Sequence, residues 1–218
     1  MSDPSEAHLK ATKRILRYVK GTANFGIHYF KMDDVKLEGF CDSDWGSNID
    51  DRKSTSGNCF TLGSGFVTWS SKKQTTVALS STEAEYIALT SASTQALWLR
   101  KVLEELDEKK NGPTPLYCDN KSTIQLAQNP VHHSKSKHFD MKYHFTRHMV
   151  ENKIIELKHC NTLDNITNLF TKGVAKAQFL LLRSFLVSPL NIKGENVEDQ
   201  NCQIRGLLIL KKSSILSS

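Results

Sequence analysis

The run KLEGFCDSDW at residues 36–45 constrains this chain most, because a strand pattern there ends abruptly in two aspartates. Val35, Leu37 and Phe40 interleave with polar residues at a period near two, which predicts a strand packed on one face. Asp42 and Asp44 then fall on one side of the extended chain. Carboxylates are poor strand formers and costly to bury alone, so a cation or hydrogen-bond donors must meet them. A hard divalent ion is one reading. A solvated turn is the other, because Gly46, Ser47 and Asn48 follow and Asp-Ser-Asp is ordinary loop chemistry. Further acids in matching contexts downstream would favour the ion.

Upstream, residues 5–20 place Leu9, Ile15, Leu16 and Val19 among Lys10, Lys13, Arg14, Arg17 and Lys20, and Gly21 follows. This is a basic amphipathic helix, whose charged face is either solvated or laid along a nucleic-acid backbone. Strands are expected at 26–30 and 37–41, joined by the polar turn Met32-Asp33-Asp34. Two more, at 58–62 and 66–70, flank Gly63-Ser64-Gly65, a strong hairpin signal. The result is a meander of three to four strands, after which Lys72, Lys73 and Gln74 project near whatever the sheet edge binds.

At Ser80 the period changes from two to about 3.6. Ser80-Ser81-Thr82-Glu83 forms a capping box, and Ala88, Ala92, Gln95, Ala96, Leu99, Val102, Leu103 and Leu106 form one stripe of a helix ending near 110–112. Glu83 therefore has a structural task. Glu85 points to the sheet-facing side, where a salt bridge to a lysine and a bound metal would explain it equally well. A short strand at 116–118 then runs into Asp119, which is either the N-cap of a helix at 121–128 or a further acid of the same kind. Residues 154–158 read as the last strand, and 166–186 as helix interrupted around Gly173.

Composition bounds the rest. A net charge of +6 points to a polyanionic partner, and five cysteines without a C-x-x-C pair read as reduced, mostly buried thiols of an intracellular protein, cytoplasmic or nuclear. There is no signal peptide and no apolar run long enough to span a bilayer, so no membrane partner is expected.

In order along the chain, FCDSDW, RKSTSGNCFTLGSGFVTWSSKKQ, ALSSTEAEYIAL, ALWLRKVLEEL, LYCDNKSTIQLAQNP, HHSKSKHFDMKYHF and NLFTKG resemble the ribonuclease H domain of copia-type LTR-retrotransposon Pol polyproteins. HLKATKRILRYVKGT before them resembles the segment that joins the reverse transcriptase to that domain. The resemblance divides the chain into a remnant of that connection at 1–34, a ribonuclease H-like domain at 35–190, and a tail at 191–218 that reads as disordered. It implies an α/β fold, a five-stranded mixed sheet flanked by helices, its first three strands antiparallel and the later ones parallel.

The implied reaction is hydrolysis of the RNA strand of an RNA–DNA hybrid, with two Mg²⁺ (or Mn²⁺) ions about 4 Å apart stabilising entering and leaving oxygens. The implied catalytic and metal-binding residues are Asp42, Glu85 and Asp119, three anomalies with one explanation. The fourth family acid is replaced by Asn168, which removes a negative charge and should weaken the second metal and turnover. Asp164, four residues earlier, is a substitute ligand by spacing; Asp44 is an outer acid; His144 is one of several histidines that would assist product release. His144 and His148 are also spaced for zinc, but no paired cysteines complete a tetrahedral site. Lys72, Lys73, Lys121, Lys135, Lys137 and Arg147 are expected to follow a phosphate backbone. Because the chain begins after the polymerase site, the implied partner besides nucleic acid is an upstream reverse transcriptase domain of the same polyprotein type. The alternative is an inactive remnant that binds hybrid or duplex without cutting it.

Overall fold

The computed structural model describes residues 3–32, 34–47, 50–129 and 137–189, with side chains except at 137–143 and 188–189. The expected tail at 191–218 lies outside the described residues, as does Lys135. The chain falls into two compact units, Ile27–Val187 and a second built from the segments before and after it.

In the second unit, helix α1 spans Glu6–Gly21. It opens with a reciprocal cap in which the Ser5 hydroxyl accepts from the His8 amide and the His8 ring accepts from the Ser5 amide. No residue of α1 is buried, and Leu9, Ile15, Leu16 and Val19 are all more than half exposed. Strand β1, Phe25–Gly26, pairs antiparallel with β7, Ser188–Pro189.

The strand expected at 26–30 is not formed beyond Gly26. Side chains take the place of a ladder there: the Tyr29 hydroxyl donates to the Phe66 carbonyl (2.6 Å), and the Phe30 amide donates to the Ser64 hydroxyl (2.7 Å). A segment whose polar groups are met this way has no need of a strand partner.

Five strands make the sheet of the larger unit: β2 (Leu37–Asp44), β3 (Thr55–Leu62), β4 (Gly65–Lys73), β5 (Thr114–Cys118) and β6 (Ile155–His159). Their spatial order is β4-β3-β2-β5-β6, antiparallel from β4 to β2 and parallel from β2 to β6. This is the mixed sheet that the resemblance implies, three antiparallel strands followed by parallel ones. The hairpin between β3 and β4 turns on Gly63 and Ser64, with positive φ at Gly63 alone, as a type II′ turn requires.

Helix α2 (Ser81–Glu105) carries the chain from β4 across to β5, and α3 (Lys121–Gln128) and α4 (Lys137–Glu151) carry it on to β6. The expected extension of α2 to 110–112 does not occur. Asp107 adopts positive φ, its amide reaches the Glu104 carbonyl, and the Glu108 amide reaches the Leu103 carbonyl, a Schellman closure with aspartate in the glycine position. Leu106, counted in the apolar stripe, is consequently exposed.

Two apolar clusters hold the layers. Leu37, Cys41, Phe60, Leu116, Ile155 and Leu157 of the sheet meet Tyr86, Leu89, Ala92, Ala96, Leu99 and Leu103 of α2. A smaller cluster joins Cys59 and Phe66 to Ile166, with Phe170 of α5 (Asn168–Thr171) and Phe185 of α6 (Lys176–Leu186) packed against it. The helical reading of 166–186 is thus met by two short helices, broken at 172–175. Among the described residues no helix is long and apolar enough to cross a membrane.

Gly39 sits in the middle of β2, where an added Cβ would lie 2.4 Å from both Leu116 and Phe60. Gly39→Ala should therefore cost about 1–3 kcal/mol by overpacking, read as a lower urea midpoint at an unchanged m-value.

Candidate active site

The sheet places the first two acids by register. Phe40 of β2 lies opposite Tyr117 of the parallel strand β5, and their rings stack 4.9 Å apart. Two residues further along each chain come Asp42, still within β2, and Asp119, just past the end of β5, near enough for the charge of Asp119 to raise the Asp42 carboxyl. Asp119 does not cap α3. That task falls to Asn120, whose side chain accepts from the Thr123 amide (3.1 Å), which leaves the Asp119 carboxylate without that structural explanation.

Glu85 arrives from the first turns of α2. The helix is started by the Ser80 hydroxyl accepting from the Glu83 amide (3.2 Å), while the Glu83 carboxylate accepts from Leu79 rather than from Ser80. Gln74, just beyond β4, then fixes the next turn: its side-chain amide donates to the Ala84 carbonyl and to the Ser56 hydroxyl, both at 2.9 Å. So held, Glu85 is 6% exposed and accepts from the Ser43 amide (3.1 Å) at the end of β2. Its carboxylate, that of Asp119 and the Cys118 thiol have ligand atoms within 4.8 Å of one another, close enough that one cation could touch all three.

Asp42, 1% exposed, is met from the opposite side. The Thr171 hydroxyl donates to one of its oxygens, and the Lys172 ammonium lies 3.5 Å from the same atom. The close approach of α5 depends on Gly57, the cross-strand partner of Asp42, where a Cβ would stand 2.7 Å from the Thr171 methyl. Asn165 ties the same segment to β2 through the Cys41 carbonyl (2.9 Å). Thr171, Lys172 and Asn165 were not singled out from the sequence as parts of a site, and Gln74, expected near whatever the sheet edge binds, instead braces the start of α2. The threonine and lysine of NLFTKG were the available signal for two of them.

Asn168 is fully buried. Its side-chain amide donates to the Thr162 carbonyl (2.5 Å), and its carbonyl oxygen has no hydrogen-bond partner among the described residues. Asp164 is not one helical turn from it, because Thr162–Asp164 is a separate 3-10 turn and Asp164 is exposed. Asp44 faces its own loop, where it accepts from the Ser47 hydroxyl and the Thr55 amide. Asp44 is the last residue of β2 and only 7% exposed, so the solvated-turn reading fails for both aspartates, Asp44 being held by its own loop and Asp42 by the segment around α5.

His144 and His148 are exposed on α4. Arg147 of the same helix donates to the Leu126 carbonyl (3.4 Å), so it links α4 to the end of α3 rather than standing free for a phosphate. Lys121 is exposed in the first turn of α3, and Lys72 and Lys73 are exposed at the acid end of β4, where Lys73 pairs with Asp51 at 2.7 Å. Lys137 opens α4, and its side chain lies outside the described residues.

The electrostatics of this corner call for a cation. Burial, then the Cys118 thiol and the two aspartates, push the Glu85 carboxyl up to about 10, against the pull of the Ser43 amide. Burial also raises Asp42, with Asp119 adding to it, although Thr171 and Lys172 oppose the rise. Clustered carboxylates suit a hard divalent ion such as Mg²⁺, which takes oxygen ligands and needs neither imidazole nor thiolate. Glu85, Asp119 and Asp42 would hold it.

No protein-family model matches the chain. Over 179 residues, 82% of its length, it is 40% identical to the retrovirus-related Pol polyprotein from transposon RE1 of Arabidopsis thaliana. Over 186 residues, 85% of its length, it is 37% identical to the corresponding polyprotein from transposon TNT 1-94 of Nicotiana tabacum. The chain spans only 12% and 14% of those two polyproteins. Among solved structures it is similar to RNase H1 from the archaeon Halobacterium salinarum NRC-1, at 15% identity and a TM-score of 0.45, covering 62% of this chain and 94% of that one.

A carboxyl whose folded pKa is raised stabilises the fold as the neutral acid, and that stability drains as the pH rises through the folded value. For Glu85 the window opens at the ordinary 4.5 and closes near 10. The melting temperature of the metal-free protein should fall across it, Mg²⁺ should restore more at the alkaline end, and Glu85→Gln should flatten both responses in a thermal titration.

Proposed function

The chain is an RNase H-like domain homologous to the Pol polyproteins of copia-type retrotransposons, and on that premise we propose that it is a ribonuclease that hydrolyses the RNA strand of RNA–DNA hybrids. One observation carries the reading. Carboxylates from three separate elements, Asp42 on β2, Glu85 on α2 and Asp119 after β5, gather at one end of the sheet, where burial and the neighbouring acids raise both Asp42 and Glu85.

Mg²⁺ or Mn²⁺, held by these three residues, would supply charge stabilisation at the attacked phosphate and a more acidic water. The chain's own contribution is to hold the ligands. The Ser43 amide orients Glu85, the Thr171 hydroxyl orients Asp42, and Gln74 fixes the helix turn from which Glu85 projects. Asn168 lies where the family's fourth acid stands and brings no charge, so metal binding at this site is weaker and turnover slower than four acids would give. Lys72, Lys73 and Lys121 are the exposed cations left to follow the hybrid's backbone.

The upstream partner is a reverse transcriptase domain of the same polyprotein type, joined through the connection remnant at 1–34. The setting is the reducing interior of a cell, in keeping with Cys41, Cys59, Cys118 and Cys160, which are buried as thiols rather than joined in disulfides. Asn168 also favours a second reading, an inactive domain that binds hybrid without cutting. Its amide is already spent on the Thr162 carbonyl, which a carboxylate in its place would repel.

Cleavage of a labelled hybrid with Mg²⁺ and then Mn²⁺ separates the two. An active enzyme cuts, and Asp42→Asn lowers the rate by about a hundredfold or more. If the natural chain binds hybrid but cuts at the rate of Asp42→Asn, the binding reading replaces the enzyme.

A further inference from the structure

The contact between Lys172 and Asp42 has no part in the reading above, yet it is the one ion pair among the described residues that reaches Asp42, Glu85 or Asp119. The two partners differ sharply in exposure. The Asp42 side chain is 1% exposed and the Lys172 side chain 37%, so the cation can leave for water while the anion cannot. Lys172 directly follows α5, and its amide reaches back to the Asn168 carbonyl (3.2 Å), so its backbone is fixed next to Thr171, whose hydroxyl shares the same carboxylate oxygen. A tethered ammonium placed on a buried carboxylate occupies the coordination that a divalent ion would claim.

We propose that Lys172 is the resident counter-ion of the acidic corner, and that a divalent ion enters by exchanging with its ammonium at Asp42. The inference rests on the metal-binding reading of the three acids. It makes Lys172 a positioning residue: it keeps the Asp42 carboxylate compensated and in place when no metal is bound, and it competes with the metal for that place. The competition weighs more here than in a site of four acids, because Asn168 contributes no charge to the metal's side of the exchange.

The test is calorimetric titration of Mn²⁺ alone into the full chain, with no substrate present. Lys172→Met should bind Mn²⁺ about five- to tenfold more tightly than the natural protein, a gain that mere structural damage would not produce. Lys172→Arg should restore the natural affinity, and Lys172→Gln provides the neutral comparison if the methionine variant does not fold. Equal Mn²⁺ affinity in the natural and neutral variants overturns the counter-ion role and leaves the metal site standing. Absence of Mn²⁺ binding in all of them overturns both.

Discussion

The burial of two carboxylates, Asp42 and Glu85, beside a third at one end of the sheet is the constraint to which the surrounding structure answers. Burial pushes Asp42 and Glu85 towards their neutral forms, and each of the two is raised further by the carboxylates beside it. The neighbourhood meets it with donors: a backbone amide for Glu85, a hydroxyl and an ammonium for Asp42. None of these abolishes the strain, since Glu85 remains pushed up to about 10. A site that is incompletely compensated by its own protein is one that a cation stabilises.

That demand reaches outward into packing. Gly57 lets α5 come down on the strand pair opposite Asp42, while Gly39 serves the apolar core, letting β2 nest between Phe60 and Leu116. Asn120 takes over the capping of α3 and leaves Asp119 unencumbered. The capped start of α2 and the Gln74 side chain together determine where Glu85 emerges. The apolar clusters supply the stability against which this unfavourable corner is maintained.

How much of this was legible in the sequence depends on range. The strands ending in acids, the Gly63 hairpin and the switch to helical period at Ser80 are local signals, and the sheet carries all three. The strand at 26–30 was misread because its apolar alternation is answered by Tyr29 and Ser64 side chains, a choice that local pattern does not contain. The end of α2 was missed because Asp107 does what glycine ordinarily does. Asp42 and Asp44 look alike in sequence, yet one turns to the sheet end and the other to its own loop. The separation of Asp164 from Asn168 needed the 3-10 turn to be seen, since spacing alone presumes a continuous helix. What stayed hidden is the clasp of Thr171 and Lys172 on Asp42, which joins residues that no periodicity relates.

That clasp orders events in time as well as in space. The Thr171–Asp42 hydrogen bond spans 129 residues and the Asn165–Cys41 bond spans 124. A ribosome delivers β2 and its aspartate long before the segment that covers them. Until that segment emerges, the nascent sheet presents its acids uncovered to solvent and ions. The clasp therefore closes only after residues 165–172 have left the ribosome, more than 120 residues after the aspartate it covers.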